Sequence, residues 1–112
     1  MNEEQRRRIA GYLGLAQRAG KIAAGDAAAK TALVKGKAWL LVLAEDAADS
    51  VKEELQALAG CEVPLLLWPD KSDLGLIVGK SRRGALALTD EGFARAIAKV
   101  LDAGGEPDSG KR

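Results

Sequence analysis

Stripes of apolar residues at helical spacing alternate along this chain with short continuous apolar runs, and turn residues separate them. Ile9, Tyr12, Leu13 and Ala16, with Leu15 and Ala19 beside the stripe, predict a first helix over about Glu3 to Ala19, which Gly20 ends. Gly11 and Gly14 each weaken that helix by roughly 1 kcal/mol relative to Ala. Their positions read as places where another backbone comes close. Lys21 to Ala24 is a short extended segment. Asp26 reads as the cap of a second helix that runs to about Val34. Ala27, Ala28, Ala29, Ala32 and Leu33 give it a smooth face suited to close packing.

The rest of the chain is arranged around the stretch from Gly36 to Asp46. Trp39 to Ala44 is a continuous apolar run between turn signals, the pattern of a strand buried on both faces. Asp46 or Asp49 is expected to cap a third helix through about Leu58, with Ala48, Val51, Leu55 and Leu58 facing inward. Val63 to Trp68 is the next strand. Pro64 and Pro69 at its ends allow a short strand or an edge. Asp70, with Asp73 three residues later, caps a fourth helix from Lys71 to about Val78, whose inner face is Leu74, Ile77 and Val78. A basic loop, Lys80 to Gly84, leads to the last strand, Ala85 to Leu88. Thr89 is expected to cap the last helix, with Phe93, Ile97, Val100 and Leu101 inward. From Ala103 onward Gly, Pro, Ser and charged residues dominate, the composition of a disordered tail.

Strands alternating with helices predict an α/β fold, a three-layer α/β/α sandwich with a small mixed four-stranded sheet. The expected organisation is one domain over residues 1–102 and a disordered tail over 103–112. At 112 residues, 47% of them apolar, the chain can build one core without staples.

Candidate chemistry is sparse. The chain has no His and one Cys, Cys61, which removes imidazole-based nucleophile pairs, disulfides and Cys-based zinc clusters. Glu45 and Asp46 lie where open α/β sheets place ligands and could hold Mg²⁺, but Asp46 as a helix cap beside a solvated Glu45 is the stronger reading. Gly75 to Ser81 resembles a phosphate-binding loop but is one residue short, with its glycines in and after a helix. No catalytic group, metal or cofactor is predicted, and an enzyme is not expected. No apolar run is long enough to cross a bilayer, and the charged, amphipathic N-terminus lacks a signal-peptide core. A soluble, cytoplasmic monomer without a membrane partner is expected.

Net charge is only +1, yet the cations cluster. One group is Arg6, Arg7, Arg8, Arg18 and Lys21. A second is Lys30, Lys35 and Lys37, and a third is Lys80, Arg82 and Arg83. The Gly25 helix start leaves free N–H groups for a phosphate, and a small Gly-terminated basic loop suits a sugar-phosphate backbone. Ordinary solvated charges are the competing reading.

Several stretches together resemble the YlxQ branch of the ribosomal protein L-seven-A-e / L-thirty-e superfamily. They are Leu13-Gly14-Leu15-Ala16-Gln17-Arg18-Ala19-Gly20-Lys21, Gly36-Lys37-Ala38, Leu43-Ala44-Glu45-Asp46-Ala47, Leu74-Gly75, Gly79-Lys80 and Thr89-Asp90-Glu91-Gly92-Phe93-Ala94. The likeness covers about residues 6 to 102. It implies an α/β/α sandwich that binds structured RNA, in many members a kink-turn, with a link to ribosomes or translation. In the superfamily a Gly-x-Asn-Glu-x-x-Lys motif enters the groove at sheared G·A pairs. Aligned on Gly25, this chain has Ala27 and Ala28 in place of Asn and Glu, and Thr31 in place of Lys. Ala side chains make no hydrogen bonds to bases, so readout by charge and shape, or within a ribosomal context, is the expectation. The expected RNA site is Gly25, Asp26, Lys30 and Thr31 on one side and Lys80, Ser81, Arg82 and Arg83 on the other, with Lys21 and Lys37 steering phosphates. The alternative is a protein-interaction module of the same fold, with a protein partner in the translation machinery.

Overall fold

A capping box starts the first helix. The Asn2 side chain accepts the Gln5 N–H, and the Gln5 side chain accepts the Asn2 N–H, each at 2.7 Å. Gln5 is itself buried, and its Nε2 donates to the Val100 and Leu101 carbonyls at 3.3 Å, tying the first helix to the last. The computed structural model describes residues 1–104. Its elements are α1 (Glu3–Arg18), β1 (Ile22–Ala24), α2 (Asp26–Val34), β2 (Leu40–Ala44), α3 (Asp49–Ala59), β3 (Leu65–Trp68), α4 (Lys71–Ile77), β4 (Ala85–Leu88) and α5 (Glu91–Gly104). Ala103 and Gly104 thus extend α5 past the boundary expected at Asp102. The rest of the expected disordered tail lies outside the described residues.

The sheet order is β1-β4-β2-β3. β2 runs parallel to β3 and antiparallel to β4, and β4 is antiparallel to β1, so the sheet is mixed. Strand alternation divides the core into two layers. Leu40, Val42, Ala44, Leu86 and Leu88 meet Ile9 and Leu13 of α1, Leu74 of α4 and Ile97 of α5. On the other face Leu41, Leu43, Ala85 and Ala87 meet Ala29, Ala32 and Leu33 of α2 and Leu55 and Ala59 of α3. Small side chains on both α2 and β4 let that helix lie close to the sheet. β2 is buried throughout, as the apolar run predicts, but it begins at Leu40, and Trp39, expected to open it, is exposed; β3 takes the edge, which the two prolines allow.

The structure corrects several local expectations. Asp26 is the first residue of α2, and Gly25 is its N-cap. Asp46 caps nothing in α3, whose N-cap is Ala48; its Oδ1 instead accepts the Lys71 N–H at 2.9 Å, tying the β2 exit to the start of α4. Leu58 is 41% exposed and Ala59 takes the inward place. Asp90, not Thr89, caps α5, with Oδ2 accepting the Phe93 N–H at 3.0 Å. Asp70 caps α4 as expected, by accepting the Asp73 N–H.

Candidate nucleic-acid interface

Three strand ends set the site. The carboxyl ends of β1 and β2 and the amino end of β4 meet at one end of the sheet, where the Gly25 N–H donates to Ala85 O and the Ala44 N–H to Gly84 O. There a cleft of about 640 Å³ opens between the start of α2, the loop after β2 and the loop before β4. Gly25 turns the chain from β1 into α2 with φ 105°, a conformation that favours glycine. Gly84 stands where a Cβ would come 3.1 Å from Ala47 Cβ, so the two loops touch closely.

α2 has no side-chain cap. Its first amides lack intrahelical partners, as at any helix start, and the Gly25 carbonyl accepts from Ala29, the first amide bonded within the helix. The N–H groups of Asp26, Ala27 and Ala28 therefore face an open cleft with the positive end of the helix dipole behind them. Across the cleft lie Arg82 and Arg83. The Arg83 backbone N–H donates to the Lys71 carbonyl at 3.0 Å. Its guanidinium donates to Ser81 Oγ at 3.1 Å and to the Arg82 carbonyl at 2.9 Å, bracing the loop from within. Arg83 Cδ and Nε come within 3.7 Å of where a Cβ on Gly25 would stand, so the Arg83 chain lies against the bare glycine.

Of the residues expected at the site, Gly25, Asp26, Arg82 and Arg83 line this cleft. Ser81 supports it through Arg83, and Lys80 is exposed on the same loop. Thr31 is exposed one turn farther along α2. Lys30 is instead paired with Glu54 of α3 at 2.7 Å. Lys21 and Lys37 belong to the opposite end of the sheet: the Lys21 carbonyl accepts from Thr89 beyond β4, and Lys37 follows the far end of α2. From Lys21 to Gly25 the chain travels roughly 13 Å along β1. Lys71, not among the residues expected from the sequence, also lines the cleft. A cation at the first position of a helix works against the dipole, and that misfit is the signal that singles it out.

Beyond the cleft, Arg6 bridges Glu3 and Asp73, with 3.1 Å contacts to each. Its pKa is raised, first by the hydrogen bond to Glu3. Among the described residues no cluster of acidic or Cys side chains could hold a metal ion, and no helix is long and apolar enough to cross a membrane.

Residues 7–98 match the ribosomal protein L7Ae/L30e/S12e/Gadd45 family. The chain is 32% identical over 91 residues to the RNA-binding protein YlxQ of Bacillus subtilis, covering 80% of this chain and 91% of that one. It is 27% identical over 103 residues to the RNA-binding protein YlxQ of Enterococcus faecium, covering 91% and 99%. A Bacillus halodurans protein of unknown function has a solved structure that superposes with TM-score 0.77 at 29% identity, over 84% of this chain and 96% of that one. The Giardia lamblia 15.5kD RNA binding protein superposes with TM-score 0.72 at 22% identity, over 91% and 88%, and shares the fold.

Proposed function

The chain belongs to the ribosomal protein L7Ae/L30e/S12e/Gadd45 family, and from that premise we propose that it is a non-enzymatic RNA-binding protein of the YlxQ type that takes structured RNA in the cleft at the start of α2. The observation that carries this reading is the uncapped α2 N-terminus faced across the cleft by Arg82, Arg83 and Lys71. Three amides and a helix dipole on one wall, with cations on the other, form a seat for a bent phosphate backbone. Ala27 and Ala28 offer no side-chain hydrogen bond to base edges. Affinity then comes from phosphate contact and from the shape of the RNA, with kink-turns and ribosomal RNA the first candidates and translation the proposed setting.

The test is a binding titration against a kink-turn RNA, a plain duplex of equal length and ribosomal RNA, at low and near-physiological salt. Preference for the kink-turn or for ribosomal RNA over the duplex, with weaker affinity and a shallower salt slope in R82E/R83E, is the expected result. Wild-type affinity in that double variant overturns the site, and no binding to any of the three overturns the function. One observation favours a second reading, a protein-docking module: Trp39, Leu65 and Leu67, on and beside the edge strand, are 40–48% exposed. A protein partner recovered after nuclease treatment, with no RNA retained, would favour it.

A further inference from the structure

Away from the cleft, α1 and α5 pack along their lengths and leave a groove of about 420 Å³ on their outer seam. Gly92 and Ala96, one turn apart on α5, give it a smooth wall, with Tyr12 of α1 opposite. Arg8 and Lys99 contribute the cations. Of the other arginines of these two helices, Arg6 pairs with Glu3 and Asp73, Arg7 with Glu4 and Arg95 with Glu91, while Arg18, at the end of α1, is in no salt bridge among the described residues. Arg8 and Lys99 are exposed, and neither is in a salt bridge among the described residues. Tyr12 is half-buried, with its ring packed on the core beneath. Two unneutralised cations beside an anchored aromatic ring in a small-residue groove match the chemistry of a nucleotide, phosphate to the cations and sugar or base to the ring.

The groove has a definite relation to the cleft. α1 touches α4 through Arg6 and Asp73, and α5 through Gln5 and Val100. Lys71, at the lip of the cleft, begins α4 two residues before Asp73. α1 thus lies between α4, which begins at the lip of the cleft, and the groove, so an RNA held in the cleft would reach the groove by passing over α1.

We propose that the α1–α5 groove is a second RNA contact, in which Arg8 and Lys99 hold backbone phosphate and Tyr12 supports the adjoining sugar or base. This inference rests on the RNA-binding reading above. Its test is a titration of ribosomal RNA with the full chain in four forms: wild type, R8E/K99E, A96E and R82E/R83E, each checked for native helix content by circular dichroism. Ala96→Glu puts an acid in the groove without removing either cation. Removing two phosphate contacts lowers affinity about tenfold near 0.1 M salt and reduces the salt slope by roughly 1.4, so that is expected of R8E/K99E, with a weaker loss in A96E. Wild-type affinity in folded R8E/K99E and A96E, beside a loss in R82E/R83E, overturns the groove and leaves the cleft standing. Losses in R8E/K99E alone support the groove and overturn the cleft. No binding by the wild-type protein overturns both.

Discussion

A Cβ placed on Gly75 would lie 1.8 Å from the carbonyl oxygen of Ser81. The basic loop is therefore laid directly on the α4 backbone. The Lys80 N–H donates to the Gly75 carbonyl at 2.9 Å and completes the contact. Gly75 is buried within α4, so its cost in helix propensity is offset by bringing Arg82 and Arg83 to the cleft. Gly75→Ala must displace the loop or the helix, and overpacking of this kind costs roughly 1–3 kcal/mol. The expected result is a lower melting temperature, by roughly 4–8 °C per kcal/mol, together with weaker RNA binding. A variant with wild-type melting and wild-type affinity would show that the loop does not depend on this contact.

Gly11 is the opposite case. Its position in α1 reads in the sequence as a point of close backbone approach, yet nothing lies within 4 Å of an added Cβ. At Gly14 an added Cβ would meet Ile77 O at 3.8 Å, an ordinary contact. Gly11→Ala should therefore gain helix propensity without a clash and stabilise the protein by roughly 1 kcal/mol. Chemical denaturation measures this directly; a loss of stability would mean that Gly11 has a role beyond the helix.

Trp68 is fully buried, and its indole Nε1 donates to Asp73 Oδ2 at 2.8 Å. The same carboxylate oxygen accepts from Arg6. Asp73→Ala leaves a buried donor unpaired and should cost roughly 1–3 kcal/mol. Asp73→Asn keeps an acceptor and loses only an ion pair about one-third exposed, worth about 0–1 kcal/mol. Urea unfolding followed by tryptophan fluorescence should place Asn between wild type and Ala. Equal losses in both variants would assign the effect to the charge instead of the indole bond.

These contacts show which parts of the molecule the sequence makes legible. Apolar periodicity places the helices and strands because each must bury a face: Leu40 to Ala44 on both sides, Leu74 and Ile97 on one. Glycine and the basic loop point to the cleft because Gly25 and Gly84 answer local backbone demands. What local pattern does not carry is which of several adjacent acids finds an N–H. Asp46 reaches Lys71 across twenty-five residues, and Asp90 takes the cap expected of Thr89. Nor does it say which end of a strand a cation occupies. Lys21 and Gly25 are four residues apart in sequence, but an extended chain carries them to opposite ends of the sheet.

Lys71 and Lys30 separate placement from mere positive charge. Lys71 is the first residue of α4, and Lys30 is the fifth of the nine in α2. Lys71 lines the cleft, fixed by its own amide on Asp46 and its carbonyl on Arg83. Lys30 is held by Glu54, with both side chains about half exposed. A side chain that already has a carboxylate partner gains less from a phosphate, because the existing pair must first be broken. On the proposed site Lys71 holds one phosphate, so Lys71→Ala should weaken RNA binding several-fold and reduce the salt slope by roughly 0.7–0.9. Lys30→Ala should leave affinity within experimental error and change stability by no more than about 0.5 kcal/mol. Titrations of the two variants against the same RNA at several salt concentrations make the comparison. Equal losses would mean that the protein draws RNA by net charge alone; a loss confined to Lys30→Ala would move the interface from the cleft to the outer face of α2 and α3.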